Sequence, residues 1–156
     1  MHTKVMFYIL ESLDKEKDSA INMLNLQACH LAADFYRQKQ RVFVYTQDQE
    51  SAHNIDEMLW AFDPMSFVPH NLIGEGPSYG SAVEISWQAP ANRRPVLINL
   101  TSTVPNFANQ FSQIIDFVPT DETAKQVARE RFKHYRQLGF QVDTQTAATE
   151  STQVNS

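Results

Sequence analysis

Disulfides, membrane spans and a surplus of positive charge are all missing from this 156-residue sequence. Its single cysteine, Cys29, excludes an internal disulfide and any multi-cysteine zinc or iron–sulfur centre, and it suits a reducing cytosol. Apolar runs such as Val5 to Leu10 fall far below the roughly 20 residues that cross a bilayer. Nothing at the start of the sequence has the pattern of a signal peptide, so the expectation is a soluble, cytoplasmic protein. Thirteen basic against eighteen acidic residues give a net charge of −5, which disfavours a general polyanion binder. What is present is a hydrophobic content of 42%, enough at this length for one domain with a core and too little for two.

The order of elements reads α/β. Val5-Met6-Phe7-Tyr8-Ile9-Leu10 is apolar and uncharged, the pattern of a central strand buried on both faces. From Asp18 or Ser19, either a suitable cap, Ile21, Leu24, Ala28, Leu31, Ala32 and Phe35 recur at three- and four-residue spacing and mark an amphipathic helix. Val42 to Thr46 is the next strand and completes a βαβ unit. A second helix covers Glu50 to Phe62, and Pro64 ends it. Five of the seven prolines and three of the four glycines fall between Pro64 and Pro95, an irregular connection around one short strand at Ala82 to Trp87. Pro95 to Leu100 and Ile114 to Val118 are further strands, with a short helix around Phe107 to Phe111 between them. The last helix spans Asp121 to Leu138 and stops at Gly139, the position of a left-handed cap; Phe140 to Val142 adds an edge strand. The expected fold class is α/β: a single three-layer α/β/α, Rossmann-like domain over residues 1–143 with a mostly parallel central sheet, then a disordered tail over 144–156.

Familiar catalytic patterns fail on spacing. Gly74-Glu75-Gly76-Pro77-Ser78-Tyr79-Gly80 superficially matches a dinucleotide loop. Its last glycine comes one position late, no strong strand precedes it, and Pro77 removes an amide that a phosphate needs. No Gly-x-x-x-x-Gly-Lys-Ser/Thr sequence is present. The histidines His2, His30, His53, His70 and His134 form no pair at metal-binding spacing, so no metal and no cofactor are expected. His70, beside Trp60, is read as orienting a loop by hydrogen bonding. Cys29 has no basic neighbour to activate it and reads as a small buried residue. No catalytic residue is assigned.

Two features remain. Between Lys125 and Arg136 stand five basic residues (Lys125, Arg129, Arg131, Lys133, Arg136) against Glu130 alone, a local +4, while the other eight basic and seventeen acidic residues leave −9. At about 100° per residue, Lys125, Arg129, Lys133 and Arg136 share an arc of about 80°. Ala124, Val127, Ala128, Tyr135 and Leu138 lie opposite as the core side, with Phe132 at the boundary. A basic ridge beside an aromatic edge can hold a ligand with several negative charges and one apolar anchor; a solvated charged face is the bland alternative. The second feature is Trp60, Phe62, Phe67, Val68 and Leu72, large apolar residues crowded among prolines. They cover the sheet's edge or form an exposed interface patch.

These residues sit in longer motifs. Trp60 with Ser66-Phe67-Val68-Pro69-His70-Asn71-Leu72, Gly74-Glu75-Gly76-Pro77, Asp116-Phe117-Val118-Pro119, Ala128-Arg129-Glu130-Arg131-Phe132-Lys133, Tyr135-Arg136 and Gly139-Phe140 are together similar to the chi-subunit family of bacterial DNA polymerase III, over about residues 4 to 144. The resemblance implies a non-catalytic adaptor of the clamp-loader complex within a cytoplasmic, nucleoid-associated replisome. Such a chain pairs with the psi subunit, which tethers it to the clamp loader. It also grips the acidic C-terminal tail of single-stranded DNA-binding protein, and so meets DNA only indirectly. By position, Lys125, Arg129, Phe132 and Lys133 match the tail-binding site, and Trp60 and Phe67 match the psi-facing side. Phe132 stands where the family leads one to expect tyrosine, which keeps an apolar wall and leaves no hydroxyl contact. Two other readings compete: a Rossmann-like nucleotide-binding small-molecule enzyme, suggested by the βαβ start and the glycine-rich loop, and direct DNA binding by the basic helix.

Overall fold

The computed structural model describes residues 3–10, 17–61, 68–73, 75 and 81–146, with the backbone alone for 17–22. In chain order these form β1 (Lys4–Ile9), α1 (Lys17–Arg37), β2 (Val42–Tyr45), α2 (Gln49–Ala61), β3 (His70–Leu72), β4 (Val83–Ser86), β5 (Val96–Asn99), a 3-10 turn (Ala108–Gln110), β6 (Gln113–Val118), α3 (Glu122–Gln137) and β7 (Gln141–Thr146). The strands make one sheet in the order β3-β4-β2-β5-β6-β1-β7, and all its pairings are parallel. Parallel neighbours need crossover connections, which is why helices alternate with strands along the chain.

Successive side chains of a strand point to opposite faces, so β1, β2, β5 and β6 each serve two cores. On one face Val42, Val44, Val83, Ile85, Val96, Ile98, Ile115 and Phe117 meet Ala28, Leu31 and Phe35 of α1 and Ala52, Ile55 and Leu59 of α2. On the other, Val5, Phe7, Phe43, Leu97 and Ile114 meet Phe107, Phe111 and, from α3, Ala128 and Tyr135. This is the expected three-layer α/β/α domain. Each fully buried Ile, Leu or Phe in it contributes on the order of 1.5–3 kcal/mol of hydrophobic stabilisation.

The topology also positions the surface described below. From β1 the chain crosses by α1 toward β2; from the adjacent β6 it crosses by α3 past β1 to β7. β1 is therefore interior, as its sequence suggests, although Met6 and Tyr8 are only half-buried on the α1 side.

Two boundaries differ from the sequence reading. Strand β7 runs to Thr146, so the expected division at 143/144 falls inside it: three more residues pair with Phe7, Tyr8 and Ile9 of β1. That ladder holds a polar segment in place without an apolar face of its own. His70–Leu72, read as loop, is an edge strand parallel to β4. Its polar residues disguise it, because each finds a partner inside the fold: His70 Nδ1 lies 2.7 Å from the Val68 carbonyl, and the Asn71 side chain bonds the Leu72 carbonyl and the Ser81 amide, each at 2.7 Å.

Candidate docking surface around the last helix

Helix α3 starts and stops where its sequence dictates. Asp121 caps it, its carboxylate accepting the Ala124 amide at 2.9 Å. At the other end Gly139 takes φ +86, a conformation that glycine alone adopts without strain. The Gly139 amide donates to Arg136 and the Phe140 amide to Tyr135, the paired bonds of a Schellman motif. Phe140 then stacks near Tyr135, ring centres 6.2 Å apart, and fixes the direction in which β7 leaves.

The buried side of α3 is polar at its centre. Arg131, counted among the five basic residues between Lys125 and Arg136 but off the four-residue ridge, turns inward and is 7% exposed. Its Nε donates to both Asp116 oxygens at 3.1 and 3.0 Å, and its Nη2 donates to Asp116 Oδ1 at 2.9 Å and to the Phe117 carbonyl at 3.0 Å. The Tyr135 hydroxyl donates to Asp116 Oδ2 at 2.8 Å, and Asn99 adds a bond at 3.3 Å. Burial pushes the Asp116 carboxyl above the ordinary carboxylate range, with Arg131 and Tyr135 opposing it. Burial, reinforced by Asp116, also holds the Tyr135 phenol well above its usual range. This network is a clasp that fixes the rotation of α3 on β6.

The ridge keeps its four residues, but the exposed charge of the helix is smaller than sequence counting suggests. With Arg131 neutralised inside, α3 shows Lys125, Arg129, Lys133 and Arg136 against Glu122 and Glu130. Lys125 pairs with Glu122 at 3.7 Å and Lys133 with Glu130 at 3.8 Å. Exposed pairs of this kind contribute only about 0–1 kcal/mol and yield readily to another anion. Arg136 lies over the Phe132 ring at 6.0 Å. Arg129 is exposed and makes no ion pair with any described residue. Leu138, expected on the core side, is 49% exposed because the helix is ending there.

Phe132 shows which way the ridge faces. It packs on Phe7 of β1, ring centres 5.4 Å apart, whereas Arg131, on the other flank of the helix, reaches β6. The flank bearing Lys125, Arg129, Phe132 and Lys133 therefore looks over β1 toward the β7 edge. On the same face lie Val118 and Val142, both half-buried, and Ile9, 36% exposed and in register with Val118. The structure thus brings the four residues of the expected tail site together and adds an apolar spot. Spacing could not reveal Ile9 and Val118, since they come from two distant strands. Asp116 did leave a signal, a lone charge inside an apolar strand, which demands a buried partner.

Of the other expected site, Trp60 lies on the opposite face of the sheet. Trp60, at the end of α2, is 58% exposed, with its ring edge against His70 at 4.9 Å; His70 Nε2 lies 3.3 Å from Asp56. Phe67, Gly74 and Gly76 fall outside the described residues. A crevice of about 230 Å3 opens above the ends of β5 and β6, lined among others by Leu24, Leu100, Phe117 and Val127. Its polar wall, Asp116 and Arg131, is already bonded internally. No three His, Cys, Asp or Glu among the described residues are grouped to hold a metal, and none of the described helices is long and apolar enough to cross a membrane.

The geometry describes an open α/β domain whose most distinctive surface is an exposed basic flank with an apolar border. Residues 2–143 match the family described as DNA polymerase III chi subunit, HolC. The Escherichia coli K12 DNA polymerase III subunit chi is 43% identical over 144 residues, covering 90% of this chain and 95% of that one. The Haemophilus influenzae protein of the same name is 46% identical, covering 76% and 83%, and the Pseudomonas aeruginosa one 32% identical, covering 88% and 92%. The crystal structure of T4 UvsW superposes with a TM-score of 0.59 at 10% identity, covering 93% of this chain and 41% of that one, a likeness of fold alone. The chain belongs to the DNA polymerase III chi-subunit family.

Proposed function

We propose that this chain is an accessory subunit of the DNA polymerase III clamp loader that catalyses nothing itself and links two partners in replication. One is the acidic C-terminal tail of single-stranded DNA-binding protein, received on α3. The other is the psi subunit, received on the side of Trp60 and Phe67, through which the chain joins the clamp loader. DNA is reached only through the single-strand binding protein, consistent with the net charge of −5.

The observation that carries this reading is Arg129. It is an exposed guanidinium without an ion pair among the described residues, flanked by Lys125 and Lys133 and bordered by Phe132. A planar fork of donors suits a carboxylate in a way a lysine cannot reproduce. The partner's carboxylates meet the ridge, and its terminal phenylalanine packs against Phe132 and the neighbouring apolar spot. Trp60, exposed on a rigid helix, has the character of an interface anchor.

Calorimetric titration with an acidic peptide ending in phenylalanine, at low and high salt, tests the reading. Affinity falls with salt because the pairs are exposed, and Arg129→Ala weakens binding about tenfold, the loss of one charge-assisted contact. Unchanged affinity in that variant removes the assigned site. Trp60→Ala keeps peptide affinity and loses the psi partner in a pull-down.

A further inference from the structure

Among the described residues, nothing closes the β7 edge of the sheet. Strand β7 is its outermost strand on the α3 side, six residues long, and five of the six are exposed. It contains neither proline nor lysine, the residues that commonly blunt an edge. Its backbone is asymmetric. The Gln141 amide donates to the Thr3 carbonyl at 3.1 Å, so by the two-residue repeat Gln141, Asp143 and Gln145 bond toward β1. The N–H and C=O groups of Val142, Thr144 and Thr146 turn outward.

Side chains alternate as well. Val142, like Phe132, packs against the core cluster on the α3 side, which places Thr144 and Thr146 on that face and Asp143, the only acid of β7, on the other. The ridge therefore overlooks an uncharged strip of an open edge. From these placements we propose that an acidic partner segment binds as an eighth strand, its backbone pairing with the outward groups of β7 and its carboxylates lying under Arg129, Lys125 and Lys133. This rests on the tail-docking reading and names its mode, strand addition to an exposed edge.

Charge selects the occupant. Two copies pairing antiparallel through β7 would bring both α3 helices to one face, ridge against ridge, and like charges repel. The residues after Thr146 carry one charged side chain, Glu150, too little to complement the ridge. A segment with several carboxylates satisfies both the edge and the helix.

Thr144→Pro is the discriminating variant. It deletes an outward amide and leaves the Asp143 and Gln145 bonds to β1 in place, a position where proline is tolerated on an edge. Titrated with the same synthetic peptide, full-length Thr144→Pro binds about tenfold more weakly than the parent, while Thr144→Ala stays within about twofold. If Thr144→Pro binds like the parent while Arg129→Ala does not, the strand addition is wrong and the ridge reading stands. If neither variant weakens binding, both are wrong. Amide exchange on the unmutated chain gives a second readout that does not depend on any variant folding. Val142 and Thr144 exchange freely without peptide and become protected with it. Protection already present in the free chain means that its own C-terminal residues cover the edge. Protection that grows with protein concentration means a second copy does. Either result overturns the proposal.

Discussion

The sheet has two edges, and they are built on opposite terms. β3 is three residues long, and all three are buried; α2 lies over it, and its polar side chains are spent on its own backbone and on Ser81. β7 is twice as long, mostly exposed and, among the described residues, held by β1 on one side alone. A strand of polar residues can thus be structural or available, depending on whether those residues find partners within the fold. The same distinction separates two of the three arginines of α3 that sequence counting treats alike: Arg131 is spent on Asp116, while Arg129 is available.

Mutations should follow this division. The largest effect is expected on the clasp: Arg131→Ala leaves Asp116 buried without its cation and costs about 3–5 kcal/mol in urea denaturation. Without Arg131, only the Tyr135 hydroxyl and the Phe117 amide oppose burial, so the folded-state pKa of Asp116 moves further above the unfolded one. That variant is then relatively more stable at acid pH and loses stability as pH rises toward neutral. A cost below about 1 kcal/mol would make the clasp dispensable. Next comes the closed edge, where Leu72→Ala removes a buried side chain and costs about 2–5 kcal/mol, against less than about 0.5 for Thr144→Ala on the open edge. Equal costs at the two positions would break the comparison.

Gly139→Ala should cost about 1 kcal/mol, from backbone conformation only, since a Cβ there meets nothing within 4 Å. Its informative readout is peptide affinity, because the turn aims β7 beneath the ridge; a stability loss with affinity unchanged would uncouple the two. The smallest effect near neutral pH concerns Cys29, whose thiol burial pushes from 9.0 to about 12. The unfolded chain ionises first, so native stability declines as pH climbs from about 9 toward 12, and a thiol reagent at neutral pH reacts only as the protein unfolds.

Much of the fold was legible because its strands are short apolar runs and its helices carry periodic faces. Val5 to Leu10, the α1 stripe from Leu24 to Phe35, and the Asp121 and Gly139 caps each announce themselves locally. His70-Asn71-Leu72 did not, since a polar residue that satisfies itself looks like a loop. The ridge was legible as a wheel pattern. The exposed charge of α3 was not, because counting basic residues cannot tell that Arg131 meets Asp116, fifteen residues earlier, inside the core. Ile9, Val118 and the outward groups of β7 were invisible for a related reason: they become one surface only when β1 inserts between β6 and β7.

That insertion has a consequence for synthesis. β1 leaves the ribosome first, yet its neighbours are the last two strands of the described sheet. β2 to β5 are consecutive in sequence and contiguous in the sheet, so they can pair while the chain is still growing. Val5 and Phe7 must wait for Gln113–Val118 to emerge. We expect half the sheet to resist protease in nascent chains stalled after β5, with β1 still cleavable until α3 and β7 are out. A half-made chain would then have no finished face to offer an acidic partner.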